Sequence, residues 1–333
     1  MTRLHTSPDA DDAARTASPD ARRRRVHALQ APSSVVMIRP HHFTVNPETM
    51  ADNVFQARAT ALTTSELADR AHAEVTALAD ALIARGVRVH LFDDESVDRP
   101  DSVFPNNWLS THRGGRVVTY PMFTPNRRLE RRADVIELLK AQYRVQDVID
   151  YSGLEYDGLF LEGTGAMVLD HIGRIAYVAR SNRADPVILE RFCTHNGYEP
   201  MVFDAADDSG TAIYHTNVLM CVGTELAIVC LDTILDDARR TEIVERLTET
   251  GRDVVDITHD QMRDFAGNAF ELSGADRRLL AMSARAHGAL RADQLAAIEA
   301  SCEIVSADIS TIELAGGSVR CMLAGVHLDP RPR

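Results

Sequence analysis

The sequence predicts an α/β protein built as a closed ring of five ββαβ modules, and three observations predict it. From Val35 onward, short β-rich runs alternate with helical patterns. Five short segments share one pattern, in which apolar residues precede a polar or glycine pair and a strand follows. They are Val103–Trp108, Leu159–Thr164, Ile213–Val218, Phe265–Phe270 and Leu314–Val319. With Asn107, Gly163, Asn217, Asn268 and Gly317 as markers, the spacings are 56, 54, 51 and 49 residues. Between markers the order is strand, strand, helix, strand. A ring of such units leaves no exposed sheet edge, and it aims all five segments at one central cavity, where a site belongs.

Taken in order, residues 1–34 carry much Pro, Asp and Ser and the run Arg22–Arg25, with few aliphatic clusters. They cannot bury enough apolar surface to offset the entropy of ordering, so a disordered N-terminal tail is expected over residues 1–34. A single catalytic domain is expected over residues 35–333. The segment Val26–Gln30 is too short and polar for the apolar core of a signal peptide. Val35–Ile38 reads as a strand stopped by Arg39-Pro40. Leu67, Ala71, Val75, Leu78 and Leu82 recur at helical spacing, Gly86 ends that helix, and Val87–Phe92 is the next strand. Asp185-Pro186 opens a helix as cap and first turn, and Gly197 closes it. Residues 236–251 and 291–301 are two more helices. Met201–Phe203, Asp253–Val255 and Glu303–Val305 are the strands that follow these three helices.

Composition narrows the function. The 333 residues include 36 Lys+Arg against 49 Asp+Glu, a net charge of −13, with 45% hydrophobic residues. That is ample for a core, and the acidic balance argues against nucleic acid or an anionic membrane as a partner. No run approaches 18 consecutive apolar residues, so no membrane span is expected. Five cysteines without a CxxC point to a reduced, cytoplasmic protein. Lys140 is the sole lysine, which excludes a Walker-type phosphate loop and leaves no plausible Schiff-base lysine. There is no HExxH or HxH, and Gly163-Thr164-Gly165 is only a fragment of a dinucleotide fingerprint. Neither a metal nor a cofactor is expected.

The marker segments themselves carry Asn106 and Asn107, Glu162, His215 and Asn217, Asn268, and Cys321 four residues past Gly317. Singly, each has an ordinary explanation: a small buried thiol, a core imidazole, a turn acid. Together, at equivalent rims of one ring, a thiol, an imidazole and a carboxylate make a nucleophile, a proton carrier and an orienting charge.

Gly316–Met322, with Leu161–Thr164 and Tyr214–Asn217, resembles the motifs of the guanidine-modifying (pentein) superfamily. That superfamily contains arginine deiminases, amidinotransferases, dimethylarginine hydrolases and succinylarginine dihydrolase. The chain is similar more closely to the citrulline utilization hydrolase group. This similarity runs from Ile38-Arg39-Pro40 through Asn46-Pro47-Glu48-Thr49 and Phe104–Trp108 to Gly267-Asn268 and Cys321. The resemblance implies a β/α propeller with pseudo-fivefold symmetry and covalent thiol catalysis. Cys321 would attack the central carbon of a guanidino or ureido group. His215 would protonate the departing amine and then activate water, and Glu162 would hold a substrate nitrogen.

Where many relatives carry carboxylates for a guanidinium, this chain has Asn106-Asn107 and His215-Thr216-Asn217. Amides both donate and accept, which suits a neutral ureido group better than a buried cation. Asn106, Asn107, Asn217 and Asn268 are therefore expected at the substrate, a small amino acid. Arg183 in Ser181-Asn182-Arg183 resembles the family's carboxylate-binding arginine, and Arg127 and Arg39 are looser candidates. The adopted reading is hydrolysis of citrulline to ornithine, carbon dioxide and ammonia. An amidinotransferase, an arginine deiminase-like or a succinylarginine dihydrolase-like enzyme, and a non-catalytic binding protein of this fold, stay open, as does homo-oligomerisation.

Overall fold

The computed structural model describes residues 29–50, 53, 55, 56 and 62–332. β1 (Ser34–Pro40) and β2 (Arg88–Asp94) run parallel, joined by helix α1 (Thr64–Ile83). A reciprocal cap between Thr63 and Glu66 starts α1, whose buried stripe is the one expected, Leu67, Ala71, Val75, Leu78 and Leu82. Each fully buried Leu or Val of that stripe contributes about 1.5–3 kcal/mol, and it packs on Val35 and Met37 of β1.

Four complete modules follow. The first holds β3 (Leu109–His112), β4 (Arg116–Thr119), α2 (Ala133–Gln142) and β5 (Asp147–Asp150). Next, a short helix α3 (Gly163–Ala166) precedes β6 (Val168–Asp170), β7 (Ile175–Ala179), α4 (Pro186–Asn196) and β8 (Glu199–Phe203). Asp185 caps α4 by accepting from Val187 and Ile188, and Gly197 ends it at φ +69°. The third module is β9 (Met220–Val222), β10 (Leu226–Val229), α5 (Asp237–Glu249) and β11 (Asp253–Asp256). After α6 (His259–Arg263) comes the fourth: β12 (Phe270–Ser273), β13 (Arg278–Ser283), α7 (Ala284–Ala289), α8 (Ala292–Glu299) and β14 (Glu303–Ala307).

Each module is a three-stranded sheet whose first pair is antiparallel and whose second pair is parallel, as a hairpin followed by a helical crossover requires. The fifth sheet is assembled from both ends of the chain. A last turn, α9 (Val319–Met322), leads into β15 (Ala324–Gly325), which pairs antiparallel with β1 at Val35 and Val36. The ring of five ββαβ units is thus closed by the C-terminal strand, the pentein propeller architecture that the marker spacing and the resemblance predicted.

The expected tail lies outside the described residues as far as residue 28. Residues 29–34 belong to the fold instead. Ser34 begins β1, and the buried Gln30 amide donates to the carbonyls of Leu169 and Val222. Polarity concealed this, because Gln30 satisfies backbone groups in the ring rather than burying apolar surface. No helix among the described residues is long and apolar enough to cross a membrane.

Candidate active site

The five marker segments meet at the ring's centre and are stitched to one another in sequence. Thr164 donates to the Asn106 carbonyl (3.2 Å), Thr216 to that of Ala166 (2.6 Å), and Asn268 to that of Asn217 (2.9 Å). The Arg320 backbone N–H then donates to the Asn268 side chain (3.0 Å). Close approach demands glycine at two points. A Cβ on Gly163, which sits at φ +42°, would fall 2.4 Å from the Asn106 carbonyl oxygen. One on Gly165 would fall 2.1 Å from the Asn107 amide and 3.0 Å from the His215 ring.

Cys321 lies in α9 and is 4% exposed; its Sγ receives hydrogen bonds from the amides of Asn217 (3.2 Å) and Asn268 (3.3 Å). Both asparagines, expected at the substrate, thus hold the thiol. Two donors aimed at sulfur fix the direction from which it can attack. Across the same cavity, His215 Nε2 meets Glu162 Oε2 at 2.8 Å. Burial drives the His215 imidazole down to about 4, although the Glu162 carboxylate pulls the other way. The ring is therefore neutral near pH 7 and can accept a proton.

Glu162 is fully buried. Burial alone would raise its proton affinity, but Arg183, His215 and Arg127 reverse this and hold the carboxyl well below its ordinary range. Its Oε1 accepts from the Phe123 N–H (3.0 Å), while Oε2 faces Arg183 (3.1 Å) and Arg127 (3.7 Å). The carboxylate expected to hold a substrate nitrogen is thus occupied in orienting His215 and anchoring two arginines. Arg183 is flanked by the rings of Phe123 (5.5 Å) and Tyr214 (5.0 Å). Arg127 is clamped by Glu130 through two bonds of 2.8 and 3.0 Å. With the Asn107 amide turned to satisfy its neighbours, its oxygen accepts from Arg127 (2.9 Å) and its nitrogen donates to Asn106 (3.3 Å).

Arg127, Arg183, Asn107, His215 and Cys321 all line one cavity, while Asn106, Asn217 and Asn268 are buried in the marker segments themselves. Arg39 does not join them. It sits on the outside of the β1–β2 pair, bound to both oxygens of Asp93 at 2.7 and 3.1 Å and to Thr76. Alternation along β1 sends its side chain away from the centre, which a motif match cannot reveal. His41 and His72 lie beside that same Asp93, their ligand atoms and a carboxylate oxygen all within 4.8 Å. Arg320 and Cys321 share a helical turn rather than the strand expected for them.

Two functional carboxylates escaped sequence reasoning. Asp101 lines the cavity, with Oδ2 accepting from Asn46 (2.7 Å) and Oδ1 making no hydrogen bond; burial raises its proton affinity. In Arg99-Pro100-Asp101-Ser102 it reads as an ordinary loop acid. Glu130 could have been found, because three residues from Arg127 on a helical turn is ion-pair spacing.

A thiol held by amide donors, opposite an imidazole on a carboxylate and beside two buried arginines, defines a pentein-type cysteine enzyme. The family described as "N,N dimethylarginine dimethylhydrolase, eukaryotic" matches residues 39–328, and the chain belongs to it. It is accordingly a hydrolase of guanidino-type carbon–nitrogen bonds that works through a covalent cysteine. Among solved structures, the cyanobacterial arginine dihydrolase ArgZ aligns through its N-terminal domain with TM-score 0.68 at 17% identity, over 88% of this chain and 97% of that one. AgrE aligns with TM-score 0.70 at 18% identity over 90% of this chain but only 40% of its own. The dimethylarginine hydrolase of Pseudomonas aeruginosa aligns with TM-score 0.59 at 13% identity, over 89% and 99%. At these identities the likeness is one of fold. A search of curated protein sequences gave no match.

Proposed function

We propose that the enzyme hydrolyses the ureido group of a free amino acid, citrulline, to ornithine, carbon dioxide and ammonia. The observation that carries this reading is the charge balance around the thiol. Glu162 and Glu130 are already matched by Arg183, Arg127 and His215, and Asn107 stands where a carboxylate would serve a guanidinium. A neutral ureido head group fits that balance, and Asn107 offers it both a donor and an acceptor. Asp101 Oδ1 can take one N–H, and Arg183 or Arg127 can take the substrate carboxylate.

The chemistry follows from these groups. The Cys321 thiol gives its proton to His215 as Sγ bonds to the ureido carbon, and the C–N bond to the terminal nitrogen breaks, that nitrogen leaving as ammonia with the proton His215 returns. His215 then takes a proton from water as its oxygen attacks the S-linked carbon. Sulfur departs, and the resulting carbamate loses carbon dioxide to leave ornithine. Glu162 keeps His215 aligned and stabilises its protonated form.

A second reading has a specific observation behind it. Asp101 is a carboxylate with an oxygen available in the cavity, and ArgZ, with the same fold, is an arginine dihydrolase. Arginine would then be the substrate. Ammonia release from citrulline, arginine, N,N-dimethylarginine and succinylarginine, run in parallel, tests both. We expect release from citrulline, falling at least about 10³-fold in Cys321→Ser. Release of two ammonia per ornithine from arginine would replace the ureido reading with the second one. Dimethylamine from dimethylarginine as the main product would overturn both.

A further inference from the structure

The ring encloses a second cavity that shares no lining residue with the first, and the catalytic chemistry does not use it. Arg320, His171, His327 and Gln30 line it, with Ser110 and Thr111 beside them. Arg320 is the charged member. Its guanidinium donates to the Leu323 carbonyl (2.9 Å) and lies over the Phe270 ring (4.1 Å). Among the described residues no carboxylate pairs with it. Burial pushes its proton affinity down.

The histidines beside it add no charge. His171 is tied to the Tyr198 hydroxyl at 2.7 Å and stacks near His327, ring centroids 4.0 Å apart. Burial, together with nearby cationic side chains, keeps both rings neutral near pH 7. Gln30 is committed to closing the ring: its amide nitrogen serves the Leu169 and Val222 carbonyls, and its oxygen accepts from the His171 backbone N–H. The result is one positive charge on a half-buried side chain, facing the cavity with no carboxylate to neutralise it. Such an arrangement is costly unless a counter-ion enters. The space itself is about 30 Å³, where a single water needs at least about 10–15 Å³ on the same measure. An ion of one to a few atoms fits.

We propose that this cavity is a binding site for a small inorganic monoanion, of the halide or bicarbonate class, held by the Arg320 guanidinium. Crystals soaked in sodium bromide and measured at the bromine edge test it directly. An anomalous peak in the cavity against Arg320 is expected, and bicarbonate should replace it with planar density. In solution, halide or bicarbonate added at constant ionic strength against gluconate should raise the melting temperature by about 3 °C at ten times the dissociation constant. Arg320→Met should lose that dependence. A cavity without anomalous signal at saturating bromide, or an equal rise in Arg320→Met, would overturn the proposal. The diffraction arm uses the unaltered protein, so it decides even if the variant folds poorly. Neither arm depends on which amino acid the thiol site hydrolyses.

Discussion

Glu130 touches neither the thiol nor the cavity wall, yet Arg127 owes its position to it. Two buried bonds of 2.8 and 3.0 Å fix the guanidinium plane, leaving other N–H groups directed to Asn107 and toward Glu162. Glu130→Gln keeps the shape and removes the charge, so Arg127 should swing toward Asp101 and Glu162, its remaining partners at 3.6 and 3.7 Å. We expect KM to rise at least about tenfold with a smaller change in kcat, and stability to fall by about 3 kcal/mol, the scale of a broken buried pair. Steady-state kinetics beside thermal denaturation separate the two effects. A fall in melting temperature with KM unchanged would make Glu130 structural only. Cys321, His215, Glu162 and Arg183 were legible in the sequence because each falls on or near a repeat marker or a motif, whereas Arg127 was a loose candidate with neither behind it. Asp101 was not, because a loop acid beside a proline has no period to betray which way it points. Arg39 misled for a related reason: adjacency within a matching motif says nothing about the face of a strand.

Among the elements, helix α3 has the least freedom. It is four residues long, and through Gly163 and Gly165 the second marker presses against the first and the third. Gly165→Ala forces the Asn107 amide, the His215 ring or the turn itself to move by several tenths of an ångström or more. Overpacking of this kind costs about 1–3 kcal/mol, but displacement of His215 matters more for rate. We expect kcat to fall on the order of 100-fold while the protein remains folded. Gly288→Ala provides the contrast, because its Cβ meets open space inside helix α7; there activity should hold and stability rise by about 0.5–1 kcal/mol. Equal kcat in the two variants would refute this reading of α3. The helices and strands were readable because α1 and α4 carry their own caps and periodicity, and the parallel strands their own apolar runs. The one-turn elements at the markers were not: four residues such as Gly163–Ala166 are too few to show a helical period, and contacts across the ring decide their shape.

Over the whole molecule, a ring that converges on its own axis buries titratable side chains that a simple sheet would leave in water. His215 and His112 both lie within it, 3% and 2% exposed. Burial lowers both, His215 to about 4 and His112 well below its ordinary value. His112 bonds through Nε2 to Ser110 (2.7 Å), while its Nδ1 has no partner. The sign of the resulting pH dependence is fixed. Between about pH 6.5 and pH 4 the unfolded chain binds these protons and the folded one does not, so stability rises with pH across that window and is lost as pH falls through it. Glu162, held low, adds its own loss only below about pH 4.5. From pH 7 to pH 5 each such histidine costs roughly 2 kcal/mol, so in denaturant unfolding His112 and His215 should contribute about 4 kcal/mol of the drop, and the similarly lowered His171 and His327 add to it. His112→Gln lacks one of these titrations. Whatever its stability at pH 7, its drop between pH 7 and pH 5 should be smaller by about 2 kcal/mol. An identical drop in both proteins would mean that the buried ring charges in the native state after all, and that acid sensitivity arises elsewhere.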